Sequence, residues 1–598
     1  MTRTPLRPLA RILEARQKGE NPDAIERENR RIRHEQMRDR ARMRAEGRLL
    51  VLAVMFFGAF GVVGARMGML SASEPSEPRA ATSGNSIIAS RADIVDRQGR
   101  LLATNMSTHS LYAHPGQIYQ KARTVEELVK IFPDLDGPRL LKRFEDPKRK
   151  FLWIRKKISP EQMQAVHDIG EPGLLFGPRE MRLYPNGALA SHILGGASFG
   201  EEGVHSAEVI GTAGIEKYFD EVLRDPAREG QPLALSIDMT VQAAAEEILD
   251  AGMKLMNAKG AASVLMDVQT GEILSMVSLP DFDPNDRPNP LVEGSPSDSP
   301  LFNRAVQGVY ELGSTYKIFA AAQAMELGLV GPDTLIDTNP PFKVGGHRIG
   351  EFNGKNYKTI TVEKVIVKSS NRGTGKLALA IGPARQQEFL KSLGLFVAPP
   401  VEMVEAAGGA PLLPKRWTDL STVTISYGHG MSTTPVHLAA GYAAIANGGR
   451  YVKPTLLKRS APQAGSRVMR EDVARHARRM LRLVVSHPDG TASFGEVPGY
   501  HVGGKTGTAD KPKERGGGYY KDKTITTFAS LFPAHDPKYV LVVTLDEPVE
   551  TSGPKPRRTA GWTAVPVAAE MIRRVAPLLG VHPDYREMPL LTSTSASD

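Results

Sequence analysis

Between Leu49 and Leu70 the chain offers water almost nothing to solvate. Leu49 to Ala65 is an uninterrupted run of apolar and small residues, and beyond Arg66 the segment Met67–Leu70 extends it to about the length that crosses a bilayer. In hydrocarbon every backbone N–H and C=O must be paired within its own segment, so this run is expected to be a single helix. Arg66 lies near one end, where a long side chain reaches the interface. The competing reading is a cleaved leader, for which Ser71-Ala-Ser73 offers small residues. The preceding region is too long and the apolar core too extended for a typical leader, which favours an uncleaved anchor. Basic residues concentrate before the span, so residues 1–48 are expected in the cytoplasm and everything after Leu70 beyond the membrane.

The rest of the 598 residues leaves room for two to four domains. The formal net charge of +10 invites a nucleic-acid reading, but residues 1–48 alone hold 14 Lys/Arg against 8 Asp/Glu and so supply +6 of it. No aromatic residue is interleaved there, as a single-strand binder requires, so a solvated basic tail beside a membrane is the better account and no nucleic-acid partner is expected. The chain has no cysteine, which excludes disulfides, thiolate catalysis and Cys-zinc sites together.

Residues 71–90, rich in Ser, Glu, Pro and Ala, have linker composition. A mixed α/β region at 91–229 follows, without a catalytic constellation of its own. From about 230 to 580 the patterning is longer and cleaner. Leu233–Ile237 is strand-like and Thr240–Met256 has helical periodicity, while Ala262–Asp267 and Glu272–Ser278 flank a turn and form a hairpin. Tyr500–Gly504, Thr524–Phe532 and Tyr539–Leu545 are three later strands, and Val565–Val575 is a final helix. Two strands, a helical insert, three strands and a last helix predict an α+β domain: an antiparallel five-stranded sheet flanked by helices. Residues 581–598 fade into a Ser/Thr tail.

Within that domain, Ser314 and Lys317 stand three apart after Gly313, at the head of an apolar run that Gly328 ends. The spacing puts both side chains on one face of a helix N-terminus. There, an amine beside a hydroxyl makes a nucleophile without histidine. The pattern recurs as Ser552-Gly-Pro-Lys555, where Gly and Pro favour a turn instead. Downstream, Ser369-Ser-Asn371 is placed on a loop between helices, and Lys505-Thr506-Gly507-Thr508 closes the strand Tyr500–Gly504. A second S-x-N, Ser83-Gly-Asn85, lies in the linker. His429 and His437 lack the spacing of metal ligands and no H-E-x-x-H is present, so neither metal nor cofactor is expected.

The three boxes, in this order, resemble those of the penicillin-recognising serine acyl transferases. Arg91-Ala-Asp-Ile-Val-Asp-Arg-Gln-Gly99, Arg182-Leu-Tyr-Pro-Asn-Gly187, Gly214-Ile-Glu-Lys-Tyr218, Gly428-His-Gly430 and Asp546-Glu-Pro548 extend the likeness to class B penicillin-binding proteins, and Lys368-Ser-Ser-Asn371 with the early chain end to their division-specific, FtsI-type members. That resemblance implies a pedestal module at 91–229 and a transpeptidase domain at 230–580. It implies septal cross-linking of peptidoglycan stem peptides, acylation by β-lactams, and location at the inner membrane with the catalytic part in the periplasm. A membrane-embedded septal glycan polymerase and other division proteins are the implied partners. It also implies roles: Ser314 as nucleophile, Lys317 as candidate base, Ser369 as proton relay and Asn371 as orienter of Lys317 and of the substrate amide. Lys505, Thr506 and Thr508 bind the substrate carboxylate, Gly507 lets the peptide lie along the strand, and the N–H groups of Ser314 and Thr508 form an oxyanion hole. Ala92, Leu312 and Ile318 depart from the family pattern without removing a catalytic group. An elongation-type transpeptidase, a carboxypeptidase- or β-lactamase-like hydrolase and a non-catalytic division scaffold remain as alternatives.

Overall fold

The computed structural model describes residues 13–72, 91–202, 207–513 and 517–586. Of the expected linker 71–90 only residues 71–72 are described, and of the expected tail 581–598 only 581–586, with Val581 buried; Ser83-Gly-Asn85 lies outside the described residues. The chain forms two compact units: the N-terminal segment with Leu111–Lys156 and Glu161–Phe176, and the chain from Gly177 on with residues 91–110 and 157–160.

In the first unit, α1 (Pro22–Ala72) is one continuous helix that includes the apolar run. Phe57 in that run is 82% exposed. Among the described residues no helix is long and apolar enough to cross a membrane. The transmembrane helix expected at Leu49–Leu70 is therefore not established by the fold. In the same unit, the helix Gly137–Glu145 buries Leu140 and Phe144, and its N-cap Asp136 accepts from Arg139 N–H at 3.0 Å.

In the second unit, α2 (Met239–Leu255) starts where Asp238 accepts from the N–H groups of Thr240 (2.9 Å) and Val241 (3.3 Å). It leads into β1 (Gly260–Asp267) and β2 (Ile273–Leu279), the expected antiparallel hairpin. The insert carries α3 (Lys317–Glu326), α4 (Val362–Val367), α5 (Asn371–Ile381), α6 (Pro435–Ala446) and α7 (Glu471–Ser486). The chain then returns as β3 (Gly503–Pro512), β4 (Tyr519–Phe532), β5 (Tyr539–Asp546) and α8 (Ala564–Leu578). The sheet order is β3-β4-β5-β1-β2, antiparallel throughout. Two strands from before the insert and three from after it thus make the five-stranded sheet. Every residue of β2 is buried, and α2 and α8 pack together on the sheet while α6 packs on β1, β4 and β5. Each residue of α6 is buried, and five alanines keep it slim enough to sit inside the core.

Two of the expected boundaries move. The strand read as Tyr500–Gly504 begins at Gly503, so Lys505-Thr-Gly lies within it rather than at its end. Asn371, read as part of a loop, is the first residue of α5, with Ser370 as N-cap accepting from Gly373 N–H at 2.9 Å.

His192 and His437 are buried with their rings hydrogen-bonded to the carbonyls of Pro280 (3.1 Å) and Val397 (2.8 Å). Burial pulls the pKa of each down to about 4 from the usual 6.5. Below pH 6.5 the unfolded chain takes up these protons before the folded one, so stability falls as pH drops from about 6.5 to about 4. The melting temperature at pH 5 is expected to lie several degrees below that at pH 7.5. A calorimetric scan across this range checks it, and a flat profile would contradict it.

Candidate active site

The turn that carries Ser314 is held by four hydrogen bonds. Gly313 has φ +56°, and its N–H donates to the carbonyl of Gly428, itself at φ +80°. A Cβ on Gly428 would lie 1.9 Å from the Gly313 carbonyl oxygen, so only glycine lets the two segments touch. Thr315 Oγ1 donates to Leu312 O (2.9 Å) and Tyr442 of α6 donates through its hydroxyl to Thr315 O (2.7 Å). The Tyr316 and Thr433 hydroxyls pair at 2.7 Å. Gly313–Tyr316 forms a 3₁₀ turn that runs directly into α3, so Ser314 sits at a helix N-terminus, half-buried, with Thr315 to Met325 buried behind it. The decoy Ser552-Gly-Pro-Lys555 lies in a bend with no helix.

One turn on, Lys317 is 1% exposed. Its Nζ donates to Ser369 Oγ (3.1 Å), to Asn371 Oδ1 (2.7 Å) and to the Ser369 carbonyl. Lys505, fully buried, donates to the same Ser369 Oγ at 3.0 Å. A single hydroxyl therefore bridges two lysine amines taken out of water. Desolvation drives the Lys317 pKa down to about 7. Lys505 is pushed well below the usual lysine value by burial and by the charge of Lys317. Ser369 has φ +57°, a strained conformation for a non-glycine residue, and it turns both its carbonyl and its hydroxyl toward Lys317.

The third box arrives on β3. Thr506 Oγ1 pairs with Thr491 Oγ1 (2.8 Å) and lies 3.3 Å from Lys505 Nζ, while Thr508 Oγ1 accepts from Ala560 N–H at 3.0 Å. A Cβ built on Gly507 would meet Leu312 O at 2.2 Å, and one on Gly313 would meet Thr508 O at 2.8 Å. The bare side of Gly507 thus faces the Ser314 turn. Its missing side chain lets strand and turn close together, and the strand itself lies at the edge of the sheet. Ser314, Lys317, Ser369, Asn371 and Lys505–Thr508 are in this way brought to one place.

Two acidic residues escaped the sequence reading. Glu351 accepts from Asn371 N–H (2.7 Å), Arg372 N–H (3.2 Å) and the Ser370 hydroxyl, fixing the start of α5 with a carboxylate at its positive end. Glu311 accepts from Gly430 N–H (2.7 Å) and the Tyr519 hydroxyl (3.0 Å). His437 completes a capping box with Thr434, and His429 Nδ1 lies 3.3 Å from the Tyr427 carbonyl. Among the described residues no cluster of His, Asp and Glu is arranged to hold a metal ion.

Comparison with known proteins agrees with this geometry. The family model of the penicillin binding protein transpeptidase domain matches residues 261–571, and that of the penicillin-binding protein dimerisation domain matches residues 86–230. The probable peptidoglycan D,D-transpeptidase FtsI of Caulobacter vibrioides is 33% identical over 563 residues, 92% of each chain. The peptidoglycan D,D-transpeptidase FtsI of Escherichia coli is 28% identical over 517 residues, covering 83% of this chain and 84% of that one. The probable peptidoglycan D,D-transpeptidase PenA of Neisseria gonorrhoeae is 30% identical over 479 residues, 77% and 80% of the two chains. With both domains and nearly the whole length matched, the chain belongs to the class B penicillin-binding proteins, among the FtsI-type peptidoglycan D,D-transpeptidases.

Proposed function

We propose that this chain is a single-pass anchored enzyme that cross-links peptidoglycan stem peptides at the division septum. Residues 1–48 lie in the cytoplasm, residues 49–70 span the inner membrane, and residues 71–90 link the span to a pedestal at 91–229. The catalytic domain at 230–580 works in the periplasm beside a membrane-embedded septal glycan polymerase and other division proteins. The observation that carries this reading is the Ser369 hydroxyl shared by Lys317 and Lys505 next to the Ser314 turn.

Neutral Lys317 takes the proton of Ser314 as Oγ attacks the carbonyl between two terminal D-alanines. The proton passes through Ser369 to the leaving amine, so D-alanine departs and an ester to Ser314 remains. Lys505, Thr506 and Thr508 hold the substrate carboxylate, and Asn371 orients Lys317 and the substrate amide. The N–H groups of Ser314 and Thr508 stabilise the oxyanion, a feature worth about 3–4 kcal/mol of barrier. An amine from a neighbouring stem peptide then attacks the ester, forms the cross-link and returns the proton to Ser314. A β-lactam enters the first half of this sequence and stays as the ester.

The base must be neutral, so the acylation rate constant is expected to rise with pH up to about 7, where Lys317 titrates. It declines again where Lys505, whose pKa burial and the Lys317 charge also lower, gives up the charge that binds carboxylate. A profile flat from pH 5 to 9 would remove Lys317 from the role of base. The function itself is tested with the purified chain, a stem-peptide donor and an amine acceptor. Cross-linked product blocked by penicillin supports the reading, whereas release of D-alanine with deacylation by water within seconds makes the protein a hydrolase. A fluorescent fusion at midcell supports the septal role, and one along the side wall transfers the same chemistry to elongation.

A further inference from the structure

Acyl transfer needs a second substrate, and the amine that supplies it is a cation in neutral water. Lys317 and Lys505 repel such a group, so it needs a carboxylate on another side of Ser314. Glu311 stands three residues before Ser314 and is 9% exposed. Its Oε1 accepts from Gly430 N–H and from the Tyr519 hydroxyl. Its Oε2 is buried and, among the described residues, has no hydrogen-bond partner. A desolvated carboxylate oxygen left without a donor costs free energy that the fold does not recover by itself. Such an oxygen marks a place that a ligand's donor completes. The surroundings suit an ammonium: the Tyr427 and His429 rings lie 5.7 Å apart and those of His429 and Tyr519 6.5 Å apart, beside the carboxylate. Tyr519 opens β4 and is 43% exposed, so its hydroxyl can leave Glu311 without disturbing the core.

We propose that Glu311 is the subsite for the acceptor, where its open Oε2 takes the ammonium of the incoming stem peptide once the Tyr519 hydroxyl has moved off Oε1 and opened the way. This rests on the transpeptidase reading given above. Held against Glu311, the ammonium loses one proton to water. The freed amine nitrogen bonds to the acyl carbon as the bond to Ser314 Oγ breaks. A second proton passes from that nitrogen through Lys317 to Oγ, and the third stays on the new amide.

The test uses the full chain acylated by a thioester stem-peptide analogue, with glycinamide as acceptor. The ratio of aminolysis to hydrolysis of the same acyl-enzyme is measured, so changes in acylation cancel. Glu311→Gln keeps an oxygen for Gly430 and Tyr519 but loses the charge. It is expected to lower the ratio about tenfold or more, the order of one charge-assisted hydrogen bond. Tyr519→Phe, which uncaps the carboxylate, is expected to raise it. An unchanged ratio in Glu311→Gln, or an equal loss in Tyr519→Phe, would overturn the proposal by making the pair a purely structural clasp. If the wild-type chain forms no acyl-enzyme at all, the transpeptidase reading fails first and this one with it.

Discussion

Replacing Lys317 with alanine is expected to slow acylation by a fluorescent penicillin about a thousandfold, within the 10²–10⁴ range of a lost general base. Lys317 is the only group whose nitrogen meets both the carbonyl and the hydroxyl of Ser369 and the side-chain oxygen of Asn371 among the described residues. Its removal takes a donor from the Ser369 carbonyl and Asn371 Oδ1, while Ser369 Oγ keeps Lys505, but it also relieves a buried charge whose desolvation pulls its pKa to about 7. The two effects on stability oppose each other, so the melting temperature is expected to move by only a few degrees. Rapid-mixing fluorescence measures the rate constant and circular dichroism the fold. A folded variant acylating within tenfold of wild type would mean that Ser314 is activated by something else.

Gly507→Ala is expected to have the second largest effect, through backbone rather than chemistry. The added Cβ would sit 2.2 Å from Leu312 O and 2.8 Å from Thr315 Cγ2. Leu312 O cannot retreat easily, because it already accepts from Thr315 Oγ1 and the adjacent Gly313 is tied to Gly428. The strand must move instead, by about 1 Å, and a misplacement of that size costs about 10² in rate. Overpacking adds about 1–3 kcal/mol of destabilisation. The expected result is a folded protein with a lower melting temperature and acylation slowed about a hundredfold. Wild-type acylation in this variant would show that the strand and the Ser314 turn do not need their close approach.

The parts of the site that were legible in the sequence are those encoded locally. Ser314 and Lys317 are one helical turn apart, and the apolar run behind them announces the buried side of α3. The hairpin β1–β2 showed through its turn, and the count of two plus three strands foretold the sheet. What escaped is set by distance along the chain or by burial against type. The strand pattern stops at Gly504, yet the strand runs on through Lys505, which is fully buried as lysine rarely is. Glu351 meets Asn371 across 20 residues and Glu311 meets Tyr519 across 208, with no periodicity to mark either pair. The positive φ of Ser369 left no trace, since a serine there looks like any loop serine. The packing of Gly507 against the Leu312–Thr315 turn is equally silent in the sequence: a missing side chain does not say which neighbour needs the room.

All of this turns on one hydroxyl being made acylable where three distant segments meet. Labelling the full chain with a tagged penicillin, digesting it and mapping the modified peptide by mass spectrometry tests that directly. The account requires one label per chain, on Ser314, absent from Ser314→Ala. A label on any other residue, or none on a folded chain, would contradict it.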